Sequence, residues 1–100
     1  MFRAEREQGS RTVRLSGELD LATVAELDRA ICPLTGAGGD IRLEATELEF
    51  IDSTGVHALL RAGQALDGRG RVVIVAARPP VRRVFALLGA DDWDRLLVLE

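Results

Sequence analysis

The run VVIVAA, at residues 72–77, constrains the fold more than any other stretch of the sequence. It is continuously apolar, with none of the alternation that marks a strand with one face in water. Such a run is typical of a central strand covered on both faces, the kind found in sheets whose strands are joined by helices. Helical patterns precede and follow it, so we expect an α/β domain.

Four other segments predict strands. RTVRLSG at 11–17 alternates apolar and polar residues, as a half-buried strand does. Residues 2–7 are a weaker candidate that would form an N-terminal hairpin with it across the turn-like Gln8-Gly9-Ser10. IRLEA at 41–45 follows the breaker GAGGD, and RLLVLE at 95–100 is a short final strand. Two of these strands therefore precede the first helix, and the last closes the chain.

Three segments have helical spacing. The first has Asp20 as its cap, and we expect it to end just before Pro33 because proline is unfavourable in a helix interior. The second follows Asp52-Ser53-Thr54-Gly55, and the third starts at Pro80 and stops at Gly89. The residues expected to face the core are Val24, Leu27, Ile31 and Leu34 in the first helix, Val56, Leu59, Leu60, Gly63 and Leu66 in the second, and Val81, Val84, Phe85 and Leu88 in the third. The predicted order is ββαβαβαβ, a single α/β domain over residues 1–100 in which helices pack on a mixed sheet.

Bulk properties exclude several functions. The net charge of -3 leaves no basic excess to neutralise nucleic-acid phosphates, although all 13 basic residues are arginine. Cys32 is the single cysteine and His57 the single histidine, too few for a metal cluster, and we expect neither metal nor cofactor. Cys32 falls on the apolar stripe of the first helix, which predicts a buried thiol. The charged N-terminus is unlike a signal peptide, and no apolar run approaches the ~20 residues of a membrane span, so we expect a soluble cytoplasmic protein.

The polar stretch Asp52-Ser53-Thr54-Gly55 lies where a strand ends and a helix begins, and its chemistry has two residue-level interpretations. One is helix capping, since Asp or Ser accepts hydrogen bonds from the free amides there. The other is catalysis by Ser53 with His57 four residues later, oriented by Asp20 or Asp52. The stretch lacks the Gly-x-Ser-x-Gly elbow of hydrolases and the lysine of a phosphate-binding loop, so catalysis is the weaker interpretation.

Three stretches together carry a family resemblance: SGELDLAT at 16–23, FIDSTGVHALL at 50–60 and VVIVAARPPVRRVFALLGA at 72–90. In this order the sequence resembles the STAS domains of anti-sigma factor antagonists, the anti-anti-sigma proteins of bacterial partner switching. The resemblance implies a protein that is not an enzyme and that binds an anti-sigma factor serine kinase. It implies that the kinase phosphorylates Ser53, which has Asp20 and Asp52 as acidic neighbours. It also implies that a serine phosphatase removes this phosphate. Thr54 is the competing acceptor.

Charge explains how such a mark switches binding. A phosphate at the start of a helix is stabilised by free amides and the helix dipole, so the fold is unchanged, while the surface gains ~1.5 to 2 negative charges. We expect Gly55 to permit close backbone approach, either within the domain or at a partner. The residues His57, Arg61 and Gln64 on the wet face of the helix are expected to flank the docking surface. The alternatives are an accessory STAS subunit of a lipid-transport ATPase complex, a stress-signalling scaffold, and a small Ser53/His57 hydrolase.

Overall fold

The computed structural model describes residues 1–89 and 97–100 and has the predicted order of elements. The strands are β1 (Arg3–Arg6), β2 (Thr12–Leu19), β3 (Ile41–Ile51), β4 (Val72–Val75) and β5 (Leu97–Leu99). The helices are α1 (Val24–Ala37), α2 (Ser53–Ala65) and α3 (Pro79–Leu87). The first two residues predicted for the last strand, Arg95 and Leu96, lie outside the described residues.

The five strands form one sheet in the order β1-β2-β3-β4-β5. β1 and β2 pair antiparallel as the predicted hairpin, while β3, β4 and β5 continue parallel to β2, which confirms the mixed sheet. β4 lies between β3 and β5, and its residues Val72, Val73 and Ile74 are all buried. The first four residues of the apolar run are therefore a covered inner strand, as predicted, whereas Ala76 and Ala77 follow the strand and Ala76 is exposed. Parallel pairing brings the carboxyl ends of β2 and β3 to the same edge of the sheet.

The core forms where the helices pack against the sheet. Leu27, Ile31 and Leu34 of α1 are buried, as their spacing predicted, and Val24 is only partly buried. In α3, Val81 and Phe85 are buried, but the expectation for Leu88 is wrong because its side chain is 42% exposed. α3 ends at Leu87, and Gly89 follows with a φ of 71°, so the chain has already left the helical face at Leu88.

β3 is more than twice as long as the five-residue strand that was predicted. Two bulges change the periodicity of burial along it, so its second half lacks the alternation by which a strand is predicted. Every second residue from Ile41 to Ala45 is buried, after which burial recurs every third residue, at Leu48 and Ile51. The pairing with β2 shifts register twice over the same stretch. Each bulge inserts one extra residue and moves the following side chains to the other face, so strict alternation stops while the strand continues.

α1 differs from its prediction at its start. The helix begins at Val24 with Thr23 as the flanking residue, and Asp20 is not its cap. The Asp20 carboxylate instead accepts a hydrogen bond from the Ala22 amide, at 3.0 Å, in a tight turn that precedes the helix. An aspartate that bonds the backbone two residues later is the usual stabiliser of such a turn. The turn moves the start of the helix three residues later, from Leu21 to Val24.

α1 also continues through Pro33 to Ala37, where we expected it to end. The turn beyond the proline is held by contacts from remote parts of the chain. Arg11 Nη2 donates to the Leu34 carbonyl at 2.6 Å, and the Arg69 guanidinium donates to the carbonyls of Thr35 and Gly36, each at 3.1 Å. These bonds and the burial of Leu34 offset the hydrogen bond that proline removes.

The prediction of a buried Cys32 is wrong as well, since this residue is exposed. Cys32 follows Ile31, whose side chain faces the core, and one residue is a rotation of about 100° around a helix. The apolar stripe of α1 therefore passes beside Cys32 and does not include it.

Candidate functional site

The candidate site lies at the carboxyl ends of β2 and β3. Leu19 and Ile51 are register partners, and the Asp52 amide donates to the Leu19 carbonyl at 3.2 Å. Asp20 and Asp52 are the residues that follow these two strand ends, so the structure brings the two predicted acidic residues to one edge of the sheet. α2 starts at this edge.

Asp52 caps α2. Its backbone is extended, with φ -116° and ψ -175°, and its Oδ1 accepts a hydrogen bond from the Gly55 amide at 3.0 Å. The Asp52 carbonyl accepts the first helical bond, from the Val56 amide at 3.0 Å. The capping prediction is confirmed, with Asp52 as the capping residue. These two hydrogen bonds join the residue that follows β3 to the first turn of α2. They therefore fix the direction in which the helix leaves the sheet.

Gly55 is buried where α2 crosses the strand ends. A Cβ at this position would lie 2.8 Å from Ile51 Cγ1, 2.9 Å from Leu19 Cγ and 3.1 Å from the Leu19 carbonyl oxygen. Real side chains do not tolerate the first two distances, so only glycine lets the first turn of α2 rest on β2 and β3. Close approach within the domain, one of the two uses expected for Gly55, is thus explained.

The remaining predicted residues of α2 are on its outer side. Ser53, His57 and Arg61 are exposed and four residues apart, so they form one row along the helix, which we call the α2 row. Within residues 1–89 and 97–100, none of these three side chains makes a hydrogen bond or ion pair. Thr54 is partly buried beside them. Ser53 is accordingly the more exposed of the two adjacent hydroxyl-bearing residues.

Asp20 has a local structural role besides its place at the edge. Its carboxylate holds the turn that ends with Thr23, whose hydroxyl donates to the Glu18 carbonyl at 2.8 Å and accepts from the Asp20 amide at 3.0 Å. The turn lifts Leu21 into solvent, where it is 76% exposed. In the described part of the chain, no hydrogen bond joins Asp20 to Ser53.

Sequence reasoning missed two apolar residues at this edge. Leu21 follows Asp20, and Phe50, on β3 just before Ile51, is 49% exposed. Neither residue is among the predicted core or site residues, because the helical and strand patterns of their segments do not indicate where each side chain points. Leu21 and Phe50 therefore add exposed apolar surface beside the polar residues of this edge.

The chemistry available at the site is that of a surface hydroxyl. No hydrogen bond links Ser53 to His57 in the described residues, and no carboxylate orients the imidazole there, so the hydrolase alternative has no support. The described residues contain no group of three or more His, Cys, Asp or Glu side chains placed to hold a metal ion. An exposed hydroxyl in the first turn of a helix is well placed to carry a phosphate, since helix amides and the dipole favour an anion.

None of the helices that the structure describes has the length and apolar character needed to cross a bilayer.

Comparison with known proteins relates the chain to one domain family and to several anti-sigma factor antagonists. A family model described as "Mlab, STAS domain" matches residues 2–99. An anti-sigma-B factor antagonist of Staphylococcus epidermidis is 28% identical over 82 residues, which are 80% of this chain and 76% of that protein. The corresponding antagonist of Staphylococcus aureus strain NCTC 8325 is 29% identical over the same shares.

Two solved structures agree with the sequence comparison. The anti-sigma factor antagonist SpoIIAA in its unphosphorylated form superposes with a TM-score of 0.76 and 28% identity, covering 100% of this chain and 88% of that one. An anti-sigma factor antagonist from Mycobacterium paratuberculosis superposes with a TM-score of 0.75 and 25% identity, covering 98% of this chain and 84% of that one. The predicted fold and family are confirmed.

Proposed function

This chain belongs to the STAS domain family, and on that premise we propose that it is an anti-sigma factor antagonist controlled by phosphorylation of Ser53. It is a regulatory binding protein and not an enzyme. In its unmodified form it binds a kinase-type anti-sigma factor in the cytoplasm and so frees a sigma factor. The observation that carries the proposal is the Ser53 hydroxyl, which is exposed at the start of α2 and has no partner in the described part of the chain.

The effect of the phosphate is electrostatic. The modification adds ~1.5 to 2 negative charges next to the partly buried Asp52, at the edge where Asp20 also lies. A partner that docks over this edge must remove water from that group. A penalty of about 3 kcal/mol is enough to weaken binding about a hundredfold. An unmodified hydroxyl carries no such penalty.

The fold can accommodate a phosphate on Ser53. Ser53 Oγ takes no part in capping, since Asp52 fills that role through the Gly55 amide, and the Ser53 side chain lies outside the core. The phosphate therefore displaces no internal contact, and the first-turn amides and the helix dipole favour it. We therefore expect phosphorylation of Ser53 to change the charge of the protein surface and to leave the fold unchanged.

The docking surface combines this hydroxyl with neighbouring groups. His57 and Arg61 continue along the α2 row, and Leu21 supplies an exposed apolar side chain next to Asp20. Apolar contact at the centre with polar groups around it is the usual composition of a protein interface. Thr54 is the weaker acceptor because its side chain is partly buried against the first turn.

The test uses the purified kinase-type anti-sigma factor, ATP and intact mass measurement. We expect one phosphate on the wild-type protein and on Thr54→Val, and none on Ser53→Ala. Ser53→Ala should keep its affinity for the kinase, and Ser53→Glu should lose it. Reversal by a serine phosphatase should restore wild-type binding.

Two outcomes would contradict the proposal. Equal kinase binding by Ser53→Ala and Ser53→Glu would show that charge at this position does not control docking. Co-purification with a membrane ATPase, without any phosphate uptake, would instead assign the chain to the accessory-subunit alternative.

A further inference from the structure

A groove separates α1 from α2 and adjoins the α2 row. It encloses about 150 Å³, and its lining includes Asp28, Ile31 and Cys32 of α1 and Arg61, Ala62 and Ala65 of α2. The floor is open because α2 presents alanines where larger side chains would fill the space between the helices. Arg61 belongs both to the groove and to the α2 row, so the two form one continuous surface that begins at Ser53.

Opposite charges face this groove without meeting. Asp28 lies on the α1 wall and Arg61 on the α2 wall. Across residues 1–89 and 97–100, neither side chain has an ion-pair partner within 4.0 Å or a hydrogen bond. As arranged, the groove offers an apolar bottom between one free anion and one free cation.

We propose that this groove receives an apolar side chain of the anti-sigma factor, with an acidic residue of the same segment on Arg61 and a basic residue on Asp28. This inference rests on the proposed function and extends its interface from Ser53 to α1. A cavity of about 150 Å³ holds a group of the size of benzene, which is the size of one leucine or phenylalanine side chain. Charges of opposite sign on the two walls fix the direction in which such a segment lies.

Size and position favour a protein partner over a small molecule. Ligand pockets commonly enclose about 300–1,000 Å³, well above this groove. A single anchoring side chain in a small pocket, surrounded by polar groups, is the usual form of a protein–protein hot spot. The shared residue Arg61 makes the groove part of the surface that Ser53 already controls.

Cys32 provides a direct test, because it is the sole cysteine, is exposed and lines the groove. Iodoacetamide labelling of Cys32 is timed in the unmodified wild-type protein with and without a saturating amount of the purified anti-sigma factor, while fluorescence anisotropy reports binding separately. We expect the labelling rate to fall at least tenfold in the complex. We also expect Ala65→Phe, which fills the groove from an exposed position, to weaken binding about tenfold.

Matched variants separate groove filling from general damage. Ala86→Phe makes the same exchange at an exposed position of α3 that does not line the groove, and should change binding less than twofold. The double exchange Asp28→Arg with Arg61→Asp preserves net charge and reverses the polarity of the walls, and should weaken binding at least tenfold. Binding of the anti-sigma factor with unchanged labelling of Cys32 and an unaffected Ala65→Phe variant would overturn this inference alone.

Two other results would also overturn it. Slower labelling at high concentrations of the chain itself, without anti-sigma factor, would assign the groove to a second copy. Absence of any anti-sigma binding by the wild-type protein would remove the proposed function and this inference together.

Discussion

Replacing Gly55 by alanine tests whether the start of α2 depends on contact with the strand ends. Alanine is a better helix former than glycine by about 1 kcal/mol, so helix propensity alone predicts a more stable protein. The structure predicts the opposite. The new methyl group would meet Ile51 Cγ1 at 2.8 Å and Leu19 Cγ at 2.9 Å.

The magnitude follows from how little these neighbours can move. Leu19 is 0% exposed and Ile51 is 1% exposed, and the Leu19 carbonyl, 3.1 Å from the added atom, belongs to the backbone. Overpacking of a well-packed site costs about 1–3 kcal/mol, and the rigidity here favours the upper half of that range. After the propensity gain, the net loss in the free energy of unfolding is about 1–2 kcal/mol. For a domain of this size that lowers Tm by roughly 5–15 °C.

Gly36→Ala is the matched control, because Gly36 is also helical, is exposed and has nothing within 4 Å of an added Cβ. It should raise stability by up to about 1 kcal/mol. Thermal and urea unfolding of the two variants, followed by circular dichroism, gives the comparison. A Gly55→Ala protein as stable as Gly36→Ala would refute the close packing on which the position of Ser53 depends.

Substitutions at three further positions probe individual side chains. Asp52→Ala should lower the free energy of unfolding by about 0.5–2 kcal/mol by urea titration, and Asp52→Asn by much less, because asparagine can still accept from the Gly55 amide. Arg69→Lys should lower Tm by several degrees in a thermal scan, since an ammonium cannot reproduce the fork that reaches the carbonyls of both α1 and α2; an unchanged Tm would contradict this. Leu21→Asp should leave Tm within about 3 °C of wild type but weaken anti-sigma binding at least fivefold by calorimetry, and full affinity would exclude Leu21 from the interface.

Much of the fold was predictable because local signals and the final structure agree. The continuous run at β4, the alternation of β2 and the helical spacing of α2 each describe an element whose burial follows its own sequence. The same holds for the start of α2. A polar stretch after an apolar strand predicts a capped helix start with no information from elsewhere in the chain, although only the structure shows that Asp52 and not Ser53 is the cap.

The errors arise where distant residues decide the local structure. α1 passes Pro33 because Arg11 and Arg69, 23 and 34 residues from their acceptors Leu34 and Thr35, hold the carbonyls of its last turn. β3 continues past Ala45 because its pairing with β2 is bulged, and a bulge is a property of two strands together. A pattern within one segment contains neither kind of information.

The groove was hidden from sequence reasoning for a related reason. Asp28 and Arg61 belong to different helices, and only the packing of α1 against α2 places them on facing walls. The sequence did mark Arg61 as a wet-face residue of α2, and the exposure of that side chain confirms its position. Arg61 and Cys32 line the same groove only because of the way in which α1 packs against α2.

The most direct measurement of the central claim is the affinity of the anti-sigma factor for two forms of this protein, one unmodified and one with phosphoserine incorporated at position 53 during synthesis. The account predicts at least about a hundredfold weaker binding of the phosphorylated form, with circular dichroism spectra that superimpose. Equal affinities, or a phosphorylated form that has lost its fold, would contradict it.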